Sequence, residues 1–210
     1  NSVSINASGD GVKTLNLNQG YVGKFNSGSG DDVITSNSGT FLGRSGWDIN
    51  TGTGNDTITL DGQLDPDANV YLGGGNDNIT INGGIAGHPY DYSRIYGEEG
   101  NDTITVRGDN RTNINLYLGD GNDSFNASAA TNLSGNIFGE NGDDTLIGND
   151  NNNSFSGGND DDSIDAGNGD NHLQGDAGND TLVSGSGDDN LFGNVGNDTL
   201  VSGSGDDNLF

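Results

Sequence analysis

Residues 139–210 divide without a gap into eight nonapeptides: GENGDDTLI, GNDNNNSFS, GGNDDDSID, AGNGDNHLQ, GDAGNDTLV, SGSGDDNLF, GNVGNDTLV and SGSGDDNLF. Such a repeat restricts the chain to an architecture in which each unit stacks on an equivalent neighbour. The first six residues of each unit are mostly Gly, Asn and Asp, which tolerate positive φ and suit a tight turn. The last three centre on one apolar residue: Leu146, Phe155, Ile164, Leu173, Leu182, Leu191, Leu200 and Leu209. One inward side chain per three-residue strand is the minimum that lines a thin core. Two units make one coil of turn, strand, turn, strand, and stacked coils build two parallel sheets. The 18-residue coil is visible directly, because GNDTLVSGSGDDNLF at 178–192 recurs at 196–210.

Stacking creates the chemistry. Asp144, Asp162, Asp180 and Asp198 close successive turns on one side, 18 residues apart. Parallel stacking sets such carboxylates about 5 Å apart, near the inter-strand spacing. With no Lys or Arg beside them, the ladder repels itself unless a hard cation sits between the rungs. Carboxylate oxygens and Gly-rich backbone carbonyls favour Ca²⁺, which accepts several oxygen ligands in a flexible geometry.

The same closing Asp extends backwards through GSGDDVIT (28–35), GTGNDTITL (52–60), GGGNDNITI (73–81), GEEGNDTITV (97–106) and GDGNDSFNA (119–127). The residues are Asp32, Asp56, Asp77, Asp102 and Asp123, spaced 24, 21, 25 and 21 apart, with 21 more to Asp144. One column of calcium turns therefore runs from Asp32 to Asp198. The glycines expected to shape these turns and present carbonyls are Gly54, Gly75, Gly100, Gly121, Gly142, Gly178 and Gly196. The strands after the early turns are longer and β-branched, which predicts wider coils. A second column on the opposite side begins weakly at Asn153 and Asn171. It becomes complete at Asp189 and Asp207, with Gly187 and Gly205. An Asn keeps a carbonyl oxygen but gives up a charge, so calcium is expected to bind more weakly at those two turns.

The pattern resembles the RTX, or hemolysin-type, calcium-binding nonapeptide repeat. The likeness is strong over 139–210 and one-sided over 28–138. It implies an all-β, right-handed parallel β-helix or β-roll with stacked Ca²⁺-binding turns. It also implies a protein secreted by Gram-negative bacteria through a type I channel, unfolded in low-calcium cytosol and folding outside the cell. Three regions are expected: 1–27 as strands or a cap, 28–138 as wider coils with calcium turns on one side, and 139–210 as a regular β-roll.

Composition agrees. The chain has 32 acidic against 6 basic residues, a net charge of −26, 39 Gly and no Cys or Met. Without a counterion, a chain this acidic with 28% apolar residues is expected to be disordered. Disulfides cannot staple it, so metal must. No apolar run spans a membrane, and the charge repels nucleic acid. The start at Asn1, without a signal peptide, suggests a processed or excised fragment.

All six basic residues, Lys13, Lys24, Arg44, Arg94, Arg107 and Arg111, lie in the first 111 positions. Those in the middle share that region with Trp47, Tyr71, Tyr90, Tyr92, Tyr96 and Tyr117. Aromatics beside Arg suit an anionic extracellular polysaccharide, although packing of the rings into the wider core or over the 84–96 insertion is the favoured expectation.

Nothing points to catalysis. His88 and His172 are 84 residues apart, and His172 takes an outward position of its repeat. Asp91 near His88 suggests an acid/base pair, but a surface loop explains GHPYDYSR better. DPD at 65–67 and HPYD at 88–91 do not match the DPHD motif of alginate epimerase catalytic modules. Asn55 and Asn101 begin N-x-[ST] matches that fall inside calcium turns, where chance explains them. Ice binding is rejected too, since the third turn position reads Ser29, Thr53, Gly75, Glu99, Asp120 and Asn141 rather than a flat Thr row.

The expectation is thus a non-enzymatic, calcium-folded segment of a secreted bacterial surface protein, adhesin or matrix fibre. The chain ends in a strand at Phe210, which points to further repeats or to end-to-end assembly with itself. The alternative is a non-catalytic, polysaccharide-binding module of a secreted enzyme such as an alginate epimerase.

Overall fold

The computed structural model describes residues 2–17, 20–38, 40–42, 48–65, 68–85, 92–109 and 113–210. Arg44, Trp47, His88, Tyr90, Asp91 and Arg111 lie outside the described residues. Among those described there are only strands and turns, arranged as a parallel β-solenoid.

Two parallel sheets run the length of the chain. Among the described residues one has ten strands, the first following Lys13 and the other nine an Asp column turn; the other has thirteen. Every recorded pairing joins a strand to its equivalent in the next coil, as Asn78–Ile81 pairs with both Thr57–Leu60 and Thr103–Val106. Ser163–Asp165 lies in the same way between Thr145–Ile147 and Thr181–Val183. The strands Ser2–Asp10 and Thr14–Leu17 pair with Gly20–Ser29 and Val33–Ser36, so both belong to the stacked sheets.

The early coils are wider because they contain an additional short strand. Gly20–Ser29 pairs through its first half with Thr40–Leu42 and through its second with Asp48–Asn50. The extra layer continues through Gln63–Leu64 to a bridge between Leu64 and Ile85.

Alternation of side chains along each strand decides the core. Ile58, Ile79, Ile104, Phe125, Leu146, Ile164 and Leu182 stack from one sheet, facing Val70, Ile95, Leu116, Ile137, Phe155, Leu173 and Leu191 from the other. All are essentially inaccessible to water. In the final coil Leu200 is only partly buried, and Leu209 and Phe210 are exposed.

The tyrosines correct one expectation. Tyr71, Tyr96 and Tyr117 are half-buried on the outer face of the thirteen-stranded sheet rather than in the core. With Phe138 they form one column, each ring stacked on the next at centroid distances of 4.9, 5.2 and 5.1 Å. The rings are in register because strands such as Tyr92–Glu99 and Asn113–Asp120 pair residue for residue, and alternation sends Tyr outward where Ile95 and Leu116 point inward.

Candidate metal centre

The register brings the predicted Asp residues into one line. Asp32, Asp56, Asp77, Asp102, Asp123, Asp144, Asp162 and Asp180 are buried, at 3% relative exposure or less, while Asp198 in the last coil is half-buried. Each carboxylate is linked to its neighbour by the same bond. The N–H of Asp32 donates to Oδ1 of Asp56, that of Asp56 to Asp77, and so on through Asp180 to Asp198, at 2.6–3.0 Å.

The preceding residue makes a second ladder in the opposite direction. The N–H of Asn55 donates to Oδ1 of Asp31, Asn76 to Asn55, Asn101 to Asn76, and the series reaches Asn197 to Asn179. The inner carboxylate thus reaches back along the solenoid and the outer side chain reaches forward.

The inner ladder uses only half of each carboxylate. In Asp32, Asp56, Asp77, Asp102, Asp123, Asp144, Asp162, Asp180 and Asp189, Oδ2 is buried without a hydrogen-bond donor. A buried acceptor in that state costs roughly 1–3 kcal/mol, and more when charged. Burial raises the pKa of Asp56, Asp77, Asp102, Asp123, Asp144, Asp162 and Asp180, with neighbouring carboxylates adding to the effect. Asp102 and Asp162 are pushed up to about 8, Asp144 to about 7, and Asp77 and Asp123 to about 6. Backbone N–H bonds oppose the rise without cancelling it. A line of orphaned, destabilised carboxylate oxygens is what a row of cations would resolve.

The rest of the ligand set comes from the backbone. Among the described residues no three acidic or His side chains converge on one point, so any site combines carboxylates with carbonyls. That donor set suits Ca²⁺ rather than a transition metal. Gly54, Gly75, Gly100, Gly121, Gly142 and Gly196 hold left-handed φ in the turns, whereas Gly178 does not. At Gly121 a Cβ would lie 2.1 Å from the carbonyl oxygen of Gly100 in the coil below, so the stacking itself requires Gly. At this position Asp160 adopts φ of 76° in place of Gly.

A set of residues absent from the predicted site is the first glycine of five turns: Gly97, Gly139, Gly157, Gly175 and Gly193. A Cβ there would come within 2.1–2.6 Å of Oδ2 of Asp102, Asp144, Asp162, Asp180 or Asp198. These glycines keep open the space that the orphaned oxygens face. The signal was present, since all but Gly97 open a nonapeptide. Ser27, Thr51, Leu72 and Leu118 stand at the corresponding place in other turns.

The second column is shorter. Asn153 N–H donates to Asn171 Oδ1, Asn171 to Asp189, and Asp189 to Asp207. Gly187 and Gly205 again hold left-handed φ. At Asn153 the side-chain amide donates to the carbonyls of Asn149, Asn151 and Ala166, and at Asn171 to those of Gly167 and Gly169. The amide nitrogen therefore engages the carbonyls itself.

The third turn position reads Ser29, Thr53, Gly74, Glu99, Asp120, Asn141, Asn159, Ala177 and Val195 by strand register, so Gly74 rather than Gly75 takes that place. His172 is exposed, with Gln174 Nε2 at 3.0 Å from its Nε2 and Phe192 edge-on to the ring. No carboxylate accompanies these contacts.

The family model for the RTX calcium-binding nonapeptide repeat matches in four copies, at residues 93–112, 138–173 and 174–209. Among solved structures, the chain is similar to a hyperactive, Ca²⁺-dependent, β-helical antifreeze protein from an Antarctic bacterium. The two are 20% identical, with a TM-score of 0.57 over 97% of this chain and 79% of that one. That likeness establishes the β-helical fold. No curated protein sequence matches the chain.

Proposed function

We propose, from the RTX calcium-binding nonapeptide repeats matched at residues 93–112 and 138–209, that the chain is a calcium-folded structural segment of a secreted bacterial surface, adhesin or matrix protein. Proteins with these repeats are typically secreted, and the coordination chemistry favours the same setting. Extracellular calcium modules bind at about 10⁻⁴–10⁻³ M, far above cytosolic calcium. A chain with net charge −26 stays extended where calcium is scarce and becomes a rigid rod where it is abundant. The observation that carries this reading is the line of buried Asp Oδ2 atoms without donors. At 100-fold excess over Kd, each ion adds about 2.7 kcal/mol to folding.

The division at residues 27 and 138 follows from the same reading, with wide coils before the nonapeptides and narrow ones after. Type I secretion and end-to-end assembly belong to it as well. The proposed role is structural, in keeping with the RTX repeats.

The test is a calcium titration from an EDTA-treated start, followed by far-UV circular dichroism and light scattering. A coil-to-β transition near millimolar calcium, absent with magnesium, supports the reading, and rising scattering supports assembly. A chain already β-structured in EDTA at neutral pH overturns the folding switch.

The column Tyr71, Tyr96, Tyr117 and Phe138 favours a second reading, polysaccharide binding by a non-catalytic module. Its flat rings face outward, with Arg94 exposed on the Tyr96 strand. Quenching or enhancement of tyrosine fluorescence by alginate separates this from a purely structural role. Ice binding is not carried over from the solved neighbour. The outward row has one Thr and is interrupted by Glu99, Asp120 and Val195.

A further inference from the structure

Lys13 stands where the Asp column would have its next member. Gly9 pairs with Gly28 and Asp10 with Ser29, so GDGVK at 9–13 is stacked on GSGDD at 28–32. The N–H of Lys13 donates to Oδ1 of Asp32 at 2.7 Å, the rung bond that each column Asp makes to the next. The turn is therefore a calcium turn with Lys in the closing position.

The side chain does not leave for solvent. Nζ folds back and donates to the carbonyls of Gly9, Gly11 and Ser29 at 2.8, 2.9 and 3.0 Å, with Oδ2 of Asp32 at 3.6 Å. Three donors meet three carbonyl acceptors, which uses the full capacity of an ammonium group. The partner oxygen is one of the buried Oδ2 atoms of the column, and the Lys13 side chain is itself only 22% exposed. The two carbonyls of its own turn lie four and two residues before Lys13. Asn153 and Asn171 place their amide nitrogens on the carbonyls at the same offsets, Asn149 with Asn151 and Gly167 with Gly169. Three side-chain nitrogens from three turns thus select one position, and only in turns whose closing residue is not Asp.

We infer that this position is the cation position of the turn, and that Lys13 fills it with a tethered positive charge in place of the first ion of the column. Asn153 and Asn171 fill the equivalent position in the second column with a neutral donor. The inference rests on the calcium reading and extends it. Lys13 supplies one positive charge where an ion supplies two, but it is present at any calcium concentration. The turn at 9–13 and the rung to Asp32 are consequently formed without metal, which gives the column one fixed end on which calcium-loaded turns stack.

Ion counting tests this, using native mass spectrometry of the full chain at saturating calcium, with circular dichroism to confirm folding. Lys13→Asp restores the Asp of the motif and is expected to bind one more Ca²⁺ than the unaltered chain. Lys13→Asn retains a nitrogen donor and is expected to leave the count unchanged. Asn171→Asp makes the parallel test in the second column and is also expected to add one ion; it decides the matter if Lys13→Asp does not fold. A folded Lys13→Asp chain with an unchanged count, or a Lys13→Asn chain that gains an ion, overturns the inference. An unaltered chain that binds no calcium overturns the calcium reading instead.

Discussion

The backbone N–H of Asp102 donates to Oδ1 of Asp123 at 2.6 Å, while Oδ2 of Asp123 is buried without a donor. One carboxylate thus does two things: one oxygen ties adjacent coils together and the other faces a cation position. The two roles separate by substitution. Asp123→Asn keeps an oxygen for the rung bond and loses the charge, so one ion is expected to be lost or weakened. The cost is about 2.7 kcal/mol at calcium 100-fold above Kd. Asp123→Ala loses the rung bond as well and is expected to cost roughly 1 kcal/mol more. Calcium-titrated unfolding checks both, and equal effects from the two variants would show that the rung bond contributes nothing.

The glycine opposite the carboxylate is expected to matter as much as the carboxylate. At Gly157 a Cβ would sit 2.1 Å from Oδ2 of Asp162, a separation that forces something to move. Gly157→Ala is expected to cost roughly 1–3 kcal/mol through overpacking, and to weaken calcium binding at that turn. Gly74→Ala is the control, because its Cβ would find nothing nearer than 3.9 Å. That variant is expected to stay within about 0.5 kcal/mol of the unaltered chain. Thermal melts in calcium, with ion counting, distinguish the two.

Much of this was legible in the sequence, for a physical reason. A solenoid repeats one local solution, so the spacing of Asp144, Asp162, Asp180 and Asp198 reports directly on which atoms stack. The core was legible from the single apolar residue of each unit. What the repeat could not convey was what happens between coils. Which oxygen of each Asp makes the rung bond, and that Gly157 faces the other oxygen, depend on side-chain direction and not on spacing. Tyr96 and Tyr117 face outward and not into the core, which composition cannot convey because it identifies aromatics without saying which side of the pleat they occupy. The role of Lys13 is hidden in the sequence, since the turn that contains it, GDGVK at 9–13, lacks the closing Asp that marks the other turns.

Backbone strain in the column gives a stabilising substitution. The second turn position is left-handed throughout, with Gly73 at 101° and Gly119 at 112° either side of Glu98 at 77°. An L-residue there costs roughly 1–2 kcal/mol, which the stacked neighbours impose on Glu98. Replacing Glu98 with Gly removes that strain and gives back roughly 0.5–1 kcal/mol through the freer unfolded chain. The strain term is the larger, and the substitution also removes one negative charge from an acidic face. Glu98→Gly is therefore expected to raise the melting temperature in calcium. A lower value would mean that the exposed Glu98 carboxylate has a binding role.

Proton and calcium should act on the same carboxylates with opposite consequences. Burial raises Asp102 and Asp162 to about 8, Asp144 to about 7 and Asp77 and Asp123 to about 6, from an ordinary value of 3.8. The metal-free fold therefore binds more protons than the unfolded chain between about pH 4 and pH 8. Its stability from these groups is fully present below the ordinary value and is lost as pH rises through 6 to 8. In EDTA, lowering the pH from 8 to 5 is expected to increase β-structure, because a proton neutralises what an ion otherwise would. In the presence of calcium the same acidification makes protons compete with the ion, so the calcium midpoint of folding should move to higher concentration. Circular dichroism at several pH values, with and without calcium, reads both effects. A metal-free chain indifferent to pH between 8 and 5 would show that the buried carboxylates of the folded column are not what holds it open.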